Sequence, residues 1–147
     1  MKPEEIKEIA KKLMDPIDKD AVIEVKSTEE NLSINIMSSE SGRLIGFHGE
    51  TMESVQYLLR LMVAKVAGVF IPLSVDIDNY KSRKNQELEE FALQVAENVK
   101  KSGYAQELRP MNSYERRIIH AILNDFEGIK TDSIGEGELR RVKVEPK

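Results

Sequence analysis

Two short runs in this chain combine residue types that can hold a phosphate oxygen. The first is Gly46-Phe47-His48-Gly49. Two glycines three residues apart let the backbone turn tightly and leave bare N–H groups at the start of a following helix, which suits an anion. The second run places Arg116 and His120 four residues apart, on one face if the segment is helical. There Arg116 would be a charge-assisted donor to phosphate and His120 a neutral or charged partner. On a helical wheel Ile118, Ile119, Ile122, Leu123 and Phe126 share an arc of about 140°, while Arg116, Arg117, His120 and Asn124 lie within about 100° on the other side. That division predicts a solvated imidazole. Neither run is specific alone: a glycine pair also serves a plain helix corner, and an Arg/His pair an ordinary wet helix face.

Little else in the sequence could do chemistry. There is no cysteine, which excludes disulfides, thiolate metal sites and cysteine nucleophiles, and two histidines cannot build an imidazole cage unaided. No P-loop, nucleophile elbow or paired-histidine metal motif occurs. Glu115 and Asp125 sit at the edges of the apolar side of the wheel, away from His120. Asp76 and Asp78 read as the polar face of a strand, where charge keeps an edge from pairing. The expectation is a non-enzyme without cofactor or metal. Net charge is −4, which disfavours binding duplex DNA by charge alone. Residues 1–80 hold 9 basic and 14 acidic side chains (−5), and residues 81–147 hold 13 and 12 (+1), so any nucleic-acid site must be a local patch. No apolar run reaches the roughly 18 residues of a membrane span, and the charged N-terminus carries no signal-peptide core, which together predict a cytoplasmic protein.

The elements that must position these runs follow from periodicity. Ile6, Ile9, Ala10, Leu13 and Met14 form one helical stripe that stops at Asp15-Pro16. Ile23 and Val25, then Leu32, Ile34 and Ile36, alternate with polar residues as two strands of a hairpin. A short helix is expected into Arg43-Leu44-Ile45. After the glycine pair, Glu50 or Thr51 would cap a long helix to about Ala67, its stripe drawn as Val55, Leu58, Leu59, Met62 and Val66, with Tyr57, Leu61 and Val63 widening the apolar surface. A third strand contains Val75 and Ile77. A second block begins near Tyr80, with a helix through Leu88, Phe91, Ala92, Val95 and Val99. It continues with a short strand over 104–109, a helix over about 114–126 capped by Asn112 or Ser113, and a terminal hairpin holding Val142 and Val144. The order is αββααβ, then αβα and a hairpin: two small α+β domains, 1–80 and 81–147.

The order of the first block, with its G-x-x-G turn between helices, resembles a KH domain of the bacterial (type II) arrangement, a three-stranded sheet with helices on one face. The second block, Met-Asn-Ser-Tyr-Glu-Arg-Arg-Ile-Ile-His with Thr131-Asp132-Ser133-Ile134-Gly135-Glu136 and Arg140-Arg141-Val142, resembles the small α+β R-3-H (Arg-x-x-x-His) domain of the bacterial Jag (SpoIIIJ-associated) family. The tandem is the arrangement of that family and covers about 1–147. Members often carry a further N-terminal domain on a long linker; here the KH helix begins almost at Met1, and the sequence leaves open whether that domain belongs to the native protein.

The resemblance implies single-stranded nucleic-acid binding, with RNA the expected ligand and single-stranded DNA the alternative. It assigns Gly46 and Gly49 as the loop glycines and Arg116 and His120 as the namesake pair, with Arg43 and Arg117 beside them. Arg140, Arg141 and Lys143 either extend the basic surface or are plain solvated charges. In KH families one or both middle loop residues are usually basic, whereas here they are Phe47 and His48. Phe47 either stacks on a base or packs against the helix. The wide apolar surface of helix 51–67 supports a rival, or additional, role in pairing with another KH domain as a homodimer, and the resemblance to the Jag family implies a small stand-alone KH protein as the other partner.

Overall fold

Ile6, Ile9, Ala10 and Met14 line one side of the first helix, α1 (Pro3–Met14), and all four are buried. The computed structural model describes residues 1–147, and the chain divides into two compact units, Met1–Lys81 and Ser82–Lys147. In the first, strands β1 (Val22–Ser27) and β2 (Leu32–Met37) pair antiparallel, and β3 (Leu73–Ile77) joins β2 in parallel. A parallel neighbour requires a crossover. It is made by α2 (Ser41–Ile45), a 3₁₀ turn over Phe47–Gly49, and α3 (Glu50–Ala67). Ile23, Leu32, Ile34, Ile36, Leu73, Val75 and Ile77 share one sheet face and form a single core with the buried sides of α1 and α3.

The core side of α3 is Met52, Val55, Leu59 and Val63, not the expected stripe through Leu58 and Val66, which are exposed together with Tyr57 and Leu61. Both stripes have helical spacing, and only the sheet decides which one turns inward. The N-cap also differs: Gly49, in the left-handed region, takes that place with no side-chain cap, rather than Glu50 or Thr51. The outer edge of β3 is covered by α3 rather than guarded by acids. The Gln56 carboxamide accepts from the Val75 N–H at 2.9 Å, and Arg60 Nε donates to the Leu73 carbonyl at 2.9 Å. Asp76 instead receives the Lys81 N–H at 3.0 Å, in the first turn of α4 (Tyr80–Ser102).

The second unit has its own core. Leu88, Ala92, Val95, Ala96 and Val99 of α4 pack with Ile119 and Leu123 of α5 (Ser113–Asn124) and with Val142 and Val144. The sheet order is β4–β6–β5, all antiparallel, with β4 at Gln106–Glu107, β5 at Ile129–Ile134 and β6 at Arg141–Pro146. The strand expected over 104–109 is thus two residues long. No helix is long and apolar enough to cross a membrane.

Candidate nucleic-acid interface

The loop of the first unit is built from backbone conformations that ordinary residues avoid. Gly46 has φ 70° and ψ −173°, a combination essentially confined to glycine. A Cβ there would fall on the Thr51 side chain, with Thr51 Cβ only 2.8 Å away. Gly49 has φ 81°, and a Cβ on it would lie 3.3 Å from Cε1 of Tyr80. His48 between them also has positive φ, at 51°. Side chains at both glycine positions are thus excluded, by Thr51 and by the Tyr80 ring, and the turn leads into the N-terminus of α3, which has no side-chain cap. Phe47 projects from it with 76% of its surface exposed, so of the two readings left by the sequence, packing against the helix is the one not seen. Its ring meets that of His48 edge to face, centroids 4.1 Å apart. Nearby charge is sparse: Arg43 is exposed but paired with Glu40 at 3.3 Å, and Glu50 stands exposed at the helix start.

On α5 the arginine and histidine share a face as spaced, but the imidazole is not solvated as the wheel suggested. His120 is half-buried, with Nδ1 2.7 Å from Thr131 Oγ1 and Nε2 2.8 Å from Ser133 Oγ, so the ring ties α5 to β5. Thr131 and Ser133 oppose Val144 and Val142 in the ladder, on the sheet face turned to the helices. The wheel missed this because it knows one helix and not the strand that crosses it. Burial pushes the His120 pKa below the ordinary histidine value; Asp132 opposes that shift, and Arg116 and Arg140 reinforce it. Arg116 is half-buried and donates to the Met111 carbonyl at 2.6 Å, while exposed Arg117 lies 5.7 Å over the Tyr114 ring. Arg140 donates to the Gly135 carbonyl at 2.9 Å. Arg141 pairs with Glu107 at 3.2 Å, and Lys143 with Glu145 at 3.8 Å.

Two family profiles fit these units: KhpA/KhpB, KH domain, over residues 3–77, just over half of the chain, and the R-3-H domain over residues 86–146. The chain belongs to the KhpA/KhpB KH family. Curated relatives agree. The RNA-binding protein KhpB of Clostridium symbiosum is 38% identical over 85% of this chain and 56% of its own length. That of Bacillus subtilis is 31% identical over 85% of this chain and 61% of the relative. That of Streptococcus pneumoniae is 25% identical over 90% and 40%. The chain spans about 40 to 60% of the length of these relatives. A KH domain followed by an R-3-H domain is the Jag arrangement, and neither is an enzyme family.

Within this KH and R-3-H pair, several positioning residues escaped the sequence reading. Tyr80, which backs the KH loop at Gly49, carries no local signal, because the two lie 31 positions apart in the chain. Glu115 is buried at 1% exposure rather than lying at the edge of the apolar face. Its N–H donates to Asn112 Oδ1 at 2.8 Å, and its carboxylate lies 3.9 Å from Lys84 Nζ. The Asn-x-x-Glu spacing of a capping box was the available signal. Thr131 and Ser133, the partners of His120, lie on a separate strand that helical spacing cannot reveal.

Proposed function

We propose that this chain binds single-stranded RNA without catalysing any reaction on it, as a cytoplasmic protein. The observation that carries this reading is the turn at 46–49, where three of four residues have positive φ and the N–H groups opening α3 have no side-chain cap. Gly46 and Gly49 let a sugar-phosphate backbone come close, with Arg43, Phe47 and His48 around it; a KH loop clamps about four nucleotides. In the second unit Arg116, Arg117 and Arg140 supply positive charge to phosphate, and His120 holds that helix face against the sheet. Arg141 and Lys143, each paired with a carboxylate, contribute less. The names of the relatives support RNA over DNA.

The deciding experiment is fluorescence anisotropy with labelled single-stranded RNA and DNA pools at two salt concentrations, wild type beside Gly46→Asp/Gly49→Asp. The expected result is salt-sensitive binding of RNA that the double variant, shown folded by circular dichroism, no longer gives. A folded wild type that binds neither strand at low salt removes the reading.

A second reading rests on a separate observation. Tyr57, Leu58, Leu61 and Val66 leave one side of α3 apolar and exposed, which suits pairing with another KH domain, in a homodimer or with a small stand-alone KH protein. Light scattering after size exclusion tests the homodimer: a clean monomer at high concentration excludes it.

A further inference from the structure

We infer that the KH loop holds its strand by stacking an unpaired base on Phe47, and not by ionic contact with phosphate. The inference rests on the RNA-binding reading and specifies what the loop recognises. Three observations carry it. Phe47 is a large apolar side chain with 76% exposure at the tip of a turn of unusual backbone conformation. There is little room beside the two glycines, where a Cβ would meet Thr51 or Tyr80, and His48 meets the Phe47 ring edge to face. An aromatic ring has only two side-chain torsions, so little conformational entropy is lost when a base covers it.

Charge points the same way. No lysine or arginine lies within the turn, the nearest arginine is already paired with Glu40, and Glu50 and Glu53 occupy the first turn of α3. Residues 1–80 carry −5 in total (9 basic, 14 acidic). The Gly49 and Glu50 N–H groups already donate within the turn, to the Gly46 and Phe47 carbonyls, so the side chain at its tip is the larger contact the loop offers. An aromatic face accepts any base, and only an unstacked one can reach it. The favoured ligand is therefore a flexible single strand or an unpaired loop, and base-paired RNA of the same length is disfavoured.

The chain contains no tryptophan, so Phe47→Trp places a single reporter at the contact. The experiment titrates the wild-type chain, Phe47→Trp, Phe47→Ala and Phe47→Lys with a labelled single-stranded RNA 12-mer, and with the same 12-mer carrying abasic sites. Phe47→Trp is expected to bind at least as tightly as wild type, with its emission quenched in proportion to bound RNA. Phe47→Ala should bind about five- to a hundredfold more weakly, and the abasic strand should weaken wild type but leave Phe47→Ala unmoved. Phe47→Lys should restore affinity at low salt and steepen the salt dependence by about 0.7 in the log–log slope.

Wild-type binding, together with unquenched emission from the Phe47→Trp variant and unchanged affinity of Phe47→Ala, overturns the inference and leaves the RNA-binding reading standing. A folded wild type that binds no RNA overturns both. A drop in molar mass on Phe47→Ala, seen by light scattering, would assign the ring to contact between chains and also overturn it.

Discussion

At His120 the residue scale explains a property that motif reading inverts. Both ring nitrogens face hydroxyls, which can donate or accept, so the neutral ring is satisfied with one hydroxyl donating and one accepting. Burial nevertheless disfavours the cation, and the folded-state pKa lies below the ordinary 6.5. Below 6.5 the unfolded chain takes up the proton first, so this ring's contribution to stability is fully present above pH 6.5 and is lost as pH falls through 6.5 towards the folded value. Urea denaturation at pH 7.5 and 5.5 should show wild type losing stability on acidification, and His120→Gln losing less. Gly46 makes the complementary point about backbone. Its φ and ψ are all but closed to other residues, so Gly46→Ala should cost about 1–3 kcal/mol from conformation alone. Contact with Thr51 should add to this, and trimming that side chain in Gly46→Ala/Thr51→Gly should recover only the steric part. The same denaturation experiment reads both.

At the scale of elements, α3 separates what is packed from what is merely apolar. Leu58 and Leu59 are adjacent and chemically identical, yet Leu59 is wholly buried and Leu58 is exposed. Leu59→Ala should therefore cost about 2–5 kcal/mol, the range for an emptied core site, and Leu58→Ala below about 1 kcal/mol. Thermal or urea unfolding of the two variants checks the contrast. This helix also marks how far the sequence was legible. The stripe of α1, the antiparallel hairpin, both glycine positions and the Asn112 cap could be read directly, because each depends on neighbours within four residues or on strict alternation. Val55 and Leu59 stood on the expected stripe and are buried, but the choice of Met52 and Val63 over Leu58 and Val66 could not be read, because an apolar surface wider than one stripe leaves orientation to the sheet. The Gln56 and Arg60 cover on the β3 edge and the Thr131 and Ser133 hold on His120 were invisible for a related reason: each joins elements more than ten residues apart.

For the whole molecule, the proposed RNA-binding function would place two dissimilar contacts on one chain. The first unit is acidic and carries a glycine turn with an exposed aromatic ring, while the second is near neutral and carries arginines. Each alone is a weak site, since a KH loop covers about four nucleotides and an exposed arginine adds about one phosphate to the salt dependence. Tethering makes the second contact intramolecular, which raises overall affinity by about 10²–10⁴ when one strand can reach both. The consequence is a dependence on length. Single-stranded RNA of about four nucleotides should bind weakly and be insensitive to Arg116→Ala. A strand of several tens of nucleotides should bind far more tightly and lose much of that gain on either Arg116→Ala or Gly49→Asp, with only the former flattening the salt dependence. Anisotropy across a length series separates the cases. A steep rise at one threshold length means that one strand engages both units. A smooth rise in proportion to length means that the units act as independent binders, and Arg116→Ala would then weaken every length by the same factor.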